Sequence, residues 1–138
     1  MPLPDDLRGL PYKVHTNSEL GLMLKGIKPL AIFADVYENF PDVVVRYLRC
    51  FDRCVLAGRL TKRDFVIPLA IPNRPEVRGI HRIYYTLPGE EWRVDEMMAL
   101  MQRAGGWSPA REREFGSLLG YTDWQNDVWA QRFPYQPT

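Results

Sequence analysis

Gly79-Ile80-His81-Arg82-Ile83-Tyr84-Tyr85-Thr86-Leu87 decides the fold. It is rich in β-branched and aromatic residues, which suit a pleated, half-buried surface. Side chains alternate along a strand, so His81, Ile83, Tyr85 and Leu87 share one face. Arg82, Tyr84 and Thr86 share the other. Upstream, residues 53–60 and 64–71 read as two more strands joined by Thr61-Lys62-Arg63. Phe65, Ile67, Leu69 and Ile71 alternate in the second of these. Pro68 has no N–H for a ladder, which places that strand at an edge or a bulge. Further upstream, Pro29-Leu30-Ala31-Ile32-Phe33-Ala34-Asp35 is a nearly continuous apolar run, the pattern of a strand covered on both faces.

Helical signals flank these strands. Thr16-Asn17-Ser18-Glu19 matches a capping box, and Leu20, Met23, Leu24 and Ile27 follow at helical spacing. From Asp42 to about Cys50 the valines favour strand, whereas Val44, Tyr47 and Leu48 fit a helical stripe. A short helix capped by Asp42 is expected. The last third reads as three helices. Val94, Met97, Met98 and Met101 form the first stripe, ended by Gly105-Gly106. Ser108-Pro109 opens the second, and Thr122-Asp123-Trp124-Gln125 opens the third. The expected class is α+β: a mostly antiparallel sheet of about four strands with helices packed on one face.

The chain has 138 residues, 46% apolar and 25% charged, which suits one globular domain over 1–138. Residues 1–15 read as an extended arm and 133–138 as an irregular tail. The formal net charge of +1 gives no global pull towards nucleic acid or anionic lipid. No apolar run approaches the roughly 20 residues that span a bilayer. The N-terminus has neither the basic nor the apolar region of a signal peptide. A soluble, cytoplasmic protein is expected. Cys50 and Cys54 are read as reduced, because four residues of helix aim them poorly for a bridge.

Several chemistries lack their motifs. There is no Walker-type or dinucleotide glycine loop, no Gly-x-Ser-x-Gly elbow, no His-Glu-x-x-His and no paired Cys-x-x-Cys. No metal or cofactor is expected. The basic segment Arg46 to Arg63, with Tyr47 and Phe51 interleaved, resembles a nucleic-acid surface in composition only. Acidic residues elsewhere cancel its charge, so a salt-bridged solvated face is expected there instead.

Candidate site residues come from strand ends and loops. His81 is the natural proton carrier near neutrality, with Asp35 or Glu38 as its carboxylate partner. Asp35 ends an apolar strand, where ligand sites form in α/β proteins. Both carboxylates also have plainer roles, as a turn cap and a solvated side chain. On the opposite face Arg82 could hold an anion, and Tyr84 could meet a partner or simply pack. Glu91 and Trp92 begin the methionine-rich helix, as capping residues or a recognition loop. Trp124 is a candidate interface anchor. Two functions follow. One is a non-catalytic binding module of the inhibitor, immunity or adaptor type, with a protein partner or a second copy of itself. The other is a small enzyme or ligand-binding protein that uses His81 with Asp35 or Glu38 on an anionic small molecule.

Overall fold

The computed structural model describes residues 5–134. The first four residues of the expected arm and the last four of the expected tail lie outside them. The order of elements is α1 (Asp5–Arg8), α2 (Glu19–Leu24), β1 (Leu30–Val36), α3 (Asp42–Leu56), β2 (Thr61–Pro68), β3 (Gly79–Thr86), α4 (Trp92–Gln102), α5 (Pro109–Leu118) and α6 (Asp123–Arg132). The class is α+β. The chain gathers into two compact units. One is Leu30–Glu91, and the other joins the residues up to Pro29 with those from Trp92 onward.

The first unit is a three-stranded antiparallel sheet, in the order β1-β3-β2, with α3. The sequence reading expected a fourth strand over 53–60, but residues 53–56 are the end of α3. The helical stripe of Val44, Tyr47, Leu48, Phe51 and Val55 outweighs the local β-propensity, because it continues unbroken for three turns. Gly58 then closes the helix at φ +76°. The Arg59 N–H donates to Cys54 O and the Gly58 N–H to Val55 O, the bonding pattern of a Schellman cap.

The apolar run of β1 also differs from expectation. β1 is an edge strand, and only Leu30 and Ala31 are fully buried. The central strand is β3, whose Ile83, Tyr84, Tyr85 and Thr86 are all buried. Register puts Ala31, Tyr85 and Lys62 in one row, Phe33, Ile83 and Asp64 in the next, and Asp35, His81 and Val66 in the third. These rows face α3. Phe33, Tyr47, Phe51 and Tyr85 form the core there, with Phe51 4.6 Å from Tyr85 and 5.2 Å from Phe33 between ring centroids. On the other face Tyr84 is buried against Phe65. Gly79 permits the close approach of β2 to β3. A Cβ there would lie 2.7 Å from Ile67 O.

The second unit is helical. The first helix expected at Thr16 begins three residues later, because Asn17 adopts φ +67° and cannot continue a right-handed turn. Residues 5–8 of the expected arm form one helical turn instead. Ser108 caps α5 as expected, its side chain accepting from the Arg111 N–H. The Gln125 side chain accepts from the Thr122 N–H at the start of α6.

Two buried cations organise this unit by capping carbonyls. Arg111 donates to Arg103 O at 2.8 Å, to Gly106 O at 2.6 Å and to Leu100 O, tying off the end of α4. Lys28 is only 2% exposed and donates to Leu119 O at 2.9 Å and to His15 Nδ1 at 2.8 Å. The His15 ring lies flat on Tyr121, 3.8 Å between centroids, and the His15 N–H donates to the Tyr121 hydroxyl. Burial, aided by Lys28, holds the His15 imidazole down at about 4. Burial also holds Lys28 down at about 8, against the opposing pull of Glu19.

Two predictions follow from this packing. Phe51→Ala removes the centre of the aromatic core and should cost about 3–5 kcal/mol in urea unfolding; a loss below 1 kcal/mol would contradict the core assignment. Lys28 sets a pH dependence. Between about 8 and its ordinary 10.5, the unfolded lysine holds a proton that the folded one has released. Stability should therefore rise with pH across that window. Tyr12 and Tyr121, both pushed up by burial, oppose the rise above about 10, where the unfolded phenols ionise first. A thermal midpoint that climbs from pH 8 to 9.5, and a flat profile in Lys28→Met, are the expected results.

Candidate functional site

The row of side chains on the α3 face of the sheet ends in an open cleft of about 550 Å³. Its floor is His81, Ile83, Tyr85 and Lys62 from β3 and β2, and one wall is Asp42, Arg49 and Asp52 from α3. Tyr37, Glu38 and Phe40, from the turn after β1, form the other wall.

His81 is positioned from three sides. Its Nε2 lies 2.7 Å from Asp64 Oδ2. The rings of Tyr37 and Phe40 stand edge-on to the imidazole, each with its centroid 5.8 Å away. An ionised carboxylate only accepts hydrogen bonds, so the neutral imidazole carries its proton on Nε2. That leaves Nδ1 as the basic nitrogen. The His81 side chain is 21% exposed, so the imidazole lies at the surface of the cleft rather than in the core.

Deeper in the cleft, Asp52 gathers two donors on one oxygen. The Tyr85 hydroxyl donates to Oδ1 at 2.7 Å and the Lys62 ammonium at 3.0 Å. Burial, with the Asp52 carboxylate beside it, pushes the Tyr85 phenol well above its ordinary value. Tyr85 therefore acts as a fixed donor at any ordinary pH. Glu38 is bound by Arg78, whose guanidinium also lies 5.3 Å over the Tyr37 ring. Arg49 is exposed on its helix and lines the cleft; its side chain has no hydrogen bond or ion pair among the described residues.

The residues singled out from sequence fall in several places. His81 lies in a cleft, but its carboxylate is Asp64, not Asp35 or Glu38. Asp35 is the neighbour of His81 across β1 and β3, yet its Oδ1 accepts from the Val36 N–H at 2.7 Å. Glu38 lines the same cleft and is engaged by Arg78, at φ +61° in a tight turn. Arg82 alternates to the opposite face and does not line the cleft. Tyr84 on that face is 1% exposed, so it has no surface to offer a partner. Its hydroxyl makes no hydrogen bond among the described residues. Trp92 is half exposed, its ring covered by the Arg93 guanidinium at 4.7 Å. Glu91 precedes it and is partly buried. Trp124 is half exposed, its ring edge-on to Tyr12.

Sequence reasoning missed Asp64, Asp52, Lys62 and Arg49 as site residues. Asp64 lies diagonally from His81, two pairs along the ladder and therefore on the same face. Placing β2 against β3 in register would have shown this, because alternate residues of adjacent strands share a face. No group of three or more His, Cys, Asp or Glu side chains capable of holding a metal occurs among the described residues. Cys50 and Cys54 are free thiols. No described helix is long and apolar enough to cross a membrane. Comparison with known protein families, characterised proteins and solved structures finds no match, so function rests on the residues themselves.

If Asp64 fixes His81, the Nε2 proton should exchange slowly with water. It should give a resolved signal in imidazole-optimised proton–nitrogen NMR at neutral pH. In Asp64→Ala that signal should vanish into solvent exchange while the backbone spectrum stays folded. Its persistence would show that the aromatic walls alone hold the ring.

Proposed function

We propose that the protein is a small enzyme or ligand-binding protein that takes an anionic small molecule into the His81 cleft. The observation that carries this reading is His81, which lines an open cleft while its Nε2 lies 2.7 Å from Asp64 Oδ2. A carboxylate behind an imidazole orients the ring and stabilises its protonated form, which is how a histidine becomes an efficient acid and base. Arg49 supplies a guanidinium suited to a planar carboxylate or a phosphate. The Tyr85–Asp52–Lys62 group holds the floor rigid, since each member is already bonded to another. In this reading Nδ1 of His81 takes a proton from the ligand and returns it, and Arg49 fixes the anionic end.

The minimal probe is inorganic phosphate, titrated into labelled protein and followed by NMR. The resonances of Arg49, Lys62 and His81 should move together in the millimolar range. Arg49→Gln should weaken binding by about tenfold, the loss expected for one charge-assisted hydrogen-bonded contact. An unmoved cleft, or equal binding by the variant, would overturn the proposal.

A second reading, a protein-binding module, draws on a different surface. Val66, Ile67, Leu69 and Ile71 are 38–40% exposed along the edge strand β2 and the loop after it. An apolar edge strand is a template for pairing with another chain. This reading expects a partner protein or a second copy to be lost on Ile67→Lys, with the phosphate titration unchanged.

A further inference from the structure

The helical unit contains a partly open pocket of about 200 Å³ that shares no lining residue with the His81 cleft. Its walls are chiefly aromatic: Tyr12, Phe115, Tyr121 and Trp129 all line it. Pockets for drug-sized ligands run to about 300–1,000 Å³, so this one suits a small head group. Glu112 is the one charged side chain in its lining; Asn126 is the other polar side chain apart from the tyrosine hydroxyls.

Hydrogen bonds and ring contacts hold several of the walls. The Trp129 indole N–H donates to Glu112 Oε1 at 3.1 Å. That contact holds the carboxylate at the cavity. Tyr121 follows the Schellman-type end of α5, where its own N–H donates to Gly116 O. One face of its ring is taken by His15. Tyr12 stands edge-on to Tyr121 at 6.0 Å and to Trp124 at 5.5 Å. Asn126 donates through Nδ2 to Ser117 Oγ. Gly116 keeps α5 and α6 close, since a Cβ there would meet Asn126 Oδ1.

We infer that this cavity is a cage for a quaternary ammonium head group. The face of an aromatic ring carries negative electrostatic potential and attracts cations, most strongly when they are poorly hydrated. Four rings and one carboxylate, with no cation in the lining, complement a positive apolar ligand. They oppose an anion, and a neutral ligand would gain nothing from the charge of the carboxylate. The cations nearest to these rings point elsewhere. Lys28 lies 5.9 Å from the Tyr121 centroid and is bonded to His15 and Leu119. Arg132, the charge that acts on Tyr12, donates to Gly9 O.

Choline and a trimethyl-lysine peptide share this chemistry and separate its two sources, a free small cation and a modified protein. The neutral probe 3,3-dimethyl-1-butanol has the shape of choline without its charge. The Trp129 indole N–H resonance, tied to Glu112, reports binding directly. Choline or the peptide should shift it, and the neutral alcohol should bind at least about tenfold more weakly. The tighter of the two cations identifies the source. Glu112→Gln keeps an acceptor for Trp129 and should weaken the cation by about tenfold with no change for the alcohol. Tyr12→Leu, at a half-buried position outside the helices, should weaken it several-fold and serves if Glu112→Gln fails to fold. Equal affinity for choline and the alcohol would show a merely apolar cavity and overturn the inference. No shift with either cation would overturn it as well.

Discussion

Hydrogen bonds along both edges of β3 fix what each face of the sheet can do. Alternate residues of a central strand are committed to opposite sides, and both neighbours are held in register with it. His81, Ile83 and Tyr85 therefore form one line under α3, with Asp64 and Lys62 beside them on β2. A shift of one residue would turn every member of that line to the other face. Gly79 guards the register at the start of β3, because any side chain there meets the β2 backbone.

The helical unit rests on a different constraint, the carbonyls left over at helix ends. The last four carbonyls of a helix lack partners within it. At the end of α5, Gly116 O and Ser117 O accept from Tyr121 and Gly120 N–H groups. The Arg93 guanidinium reaches Ser117 O and Leu118 O, each at 3.1 Å, and Lys28 reaches Leu119 O. Arg111 does the same for the end of α4. Cations favour this end of the helix dipole. Part of the arginine excess, fourteen against four lysines, thus serves backbone capping. The same bonds set Tyr121 at the aromatic cavity.

The two candidate sites differ in how they hold charge. The His81 cleft is polar and internally paired, with Asp64, Asp52 and Glu38 each matched to a donor. Its proposed chemistry is a proton passed between His81 and a bound ligand. The aromatic cavity holds one carboxylate among rings, an arrangement suited to recognition by shape and charge.

The sequence alone determined the elements whose signals are local. The alternation of β3, the Ser108-Pro109 start of α5, the Thr122 start of α6 and the α+β class were all legible, because periodicity and capping act over a few residues. His81 was legible as a candidate, since its residue type and position in the strand pattern are enough to single it out. Its partner was not, because Asp64 meets it only through the pairing of β2 with β3. The end of α3 was misread as a strand, where β-propensity competes with a stripe that only packing against Phe33 and Tyr85 rewards. β1 was read as a strand covered on both faces, yet it is a half-buried edge strand, since an apolar run does not say how many neighbours it has. Tyr12, Tyr121 and Trp129 meet at one cavity from segments over a hundred residues apart in the chain. Long-range pairing and burial decide such meetings, and they are properties of the folded chain that no local pattern contains.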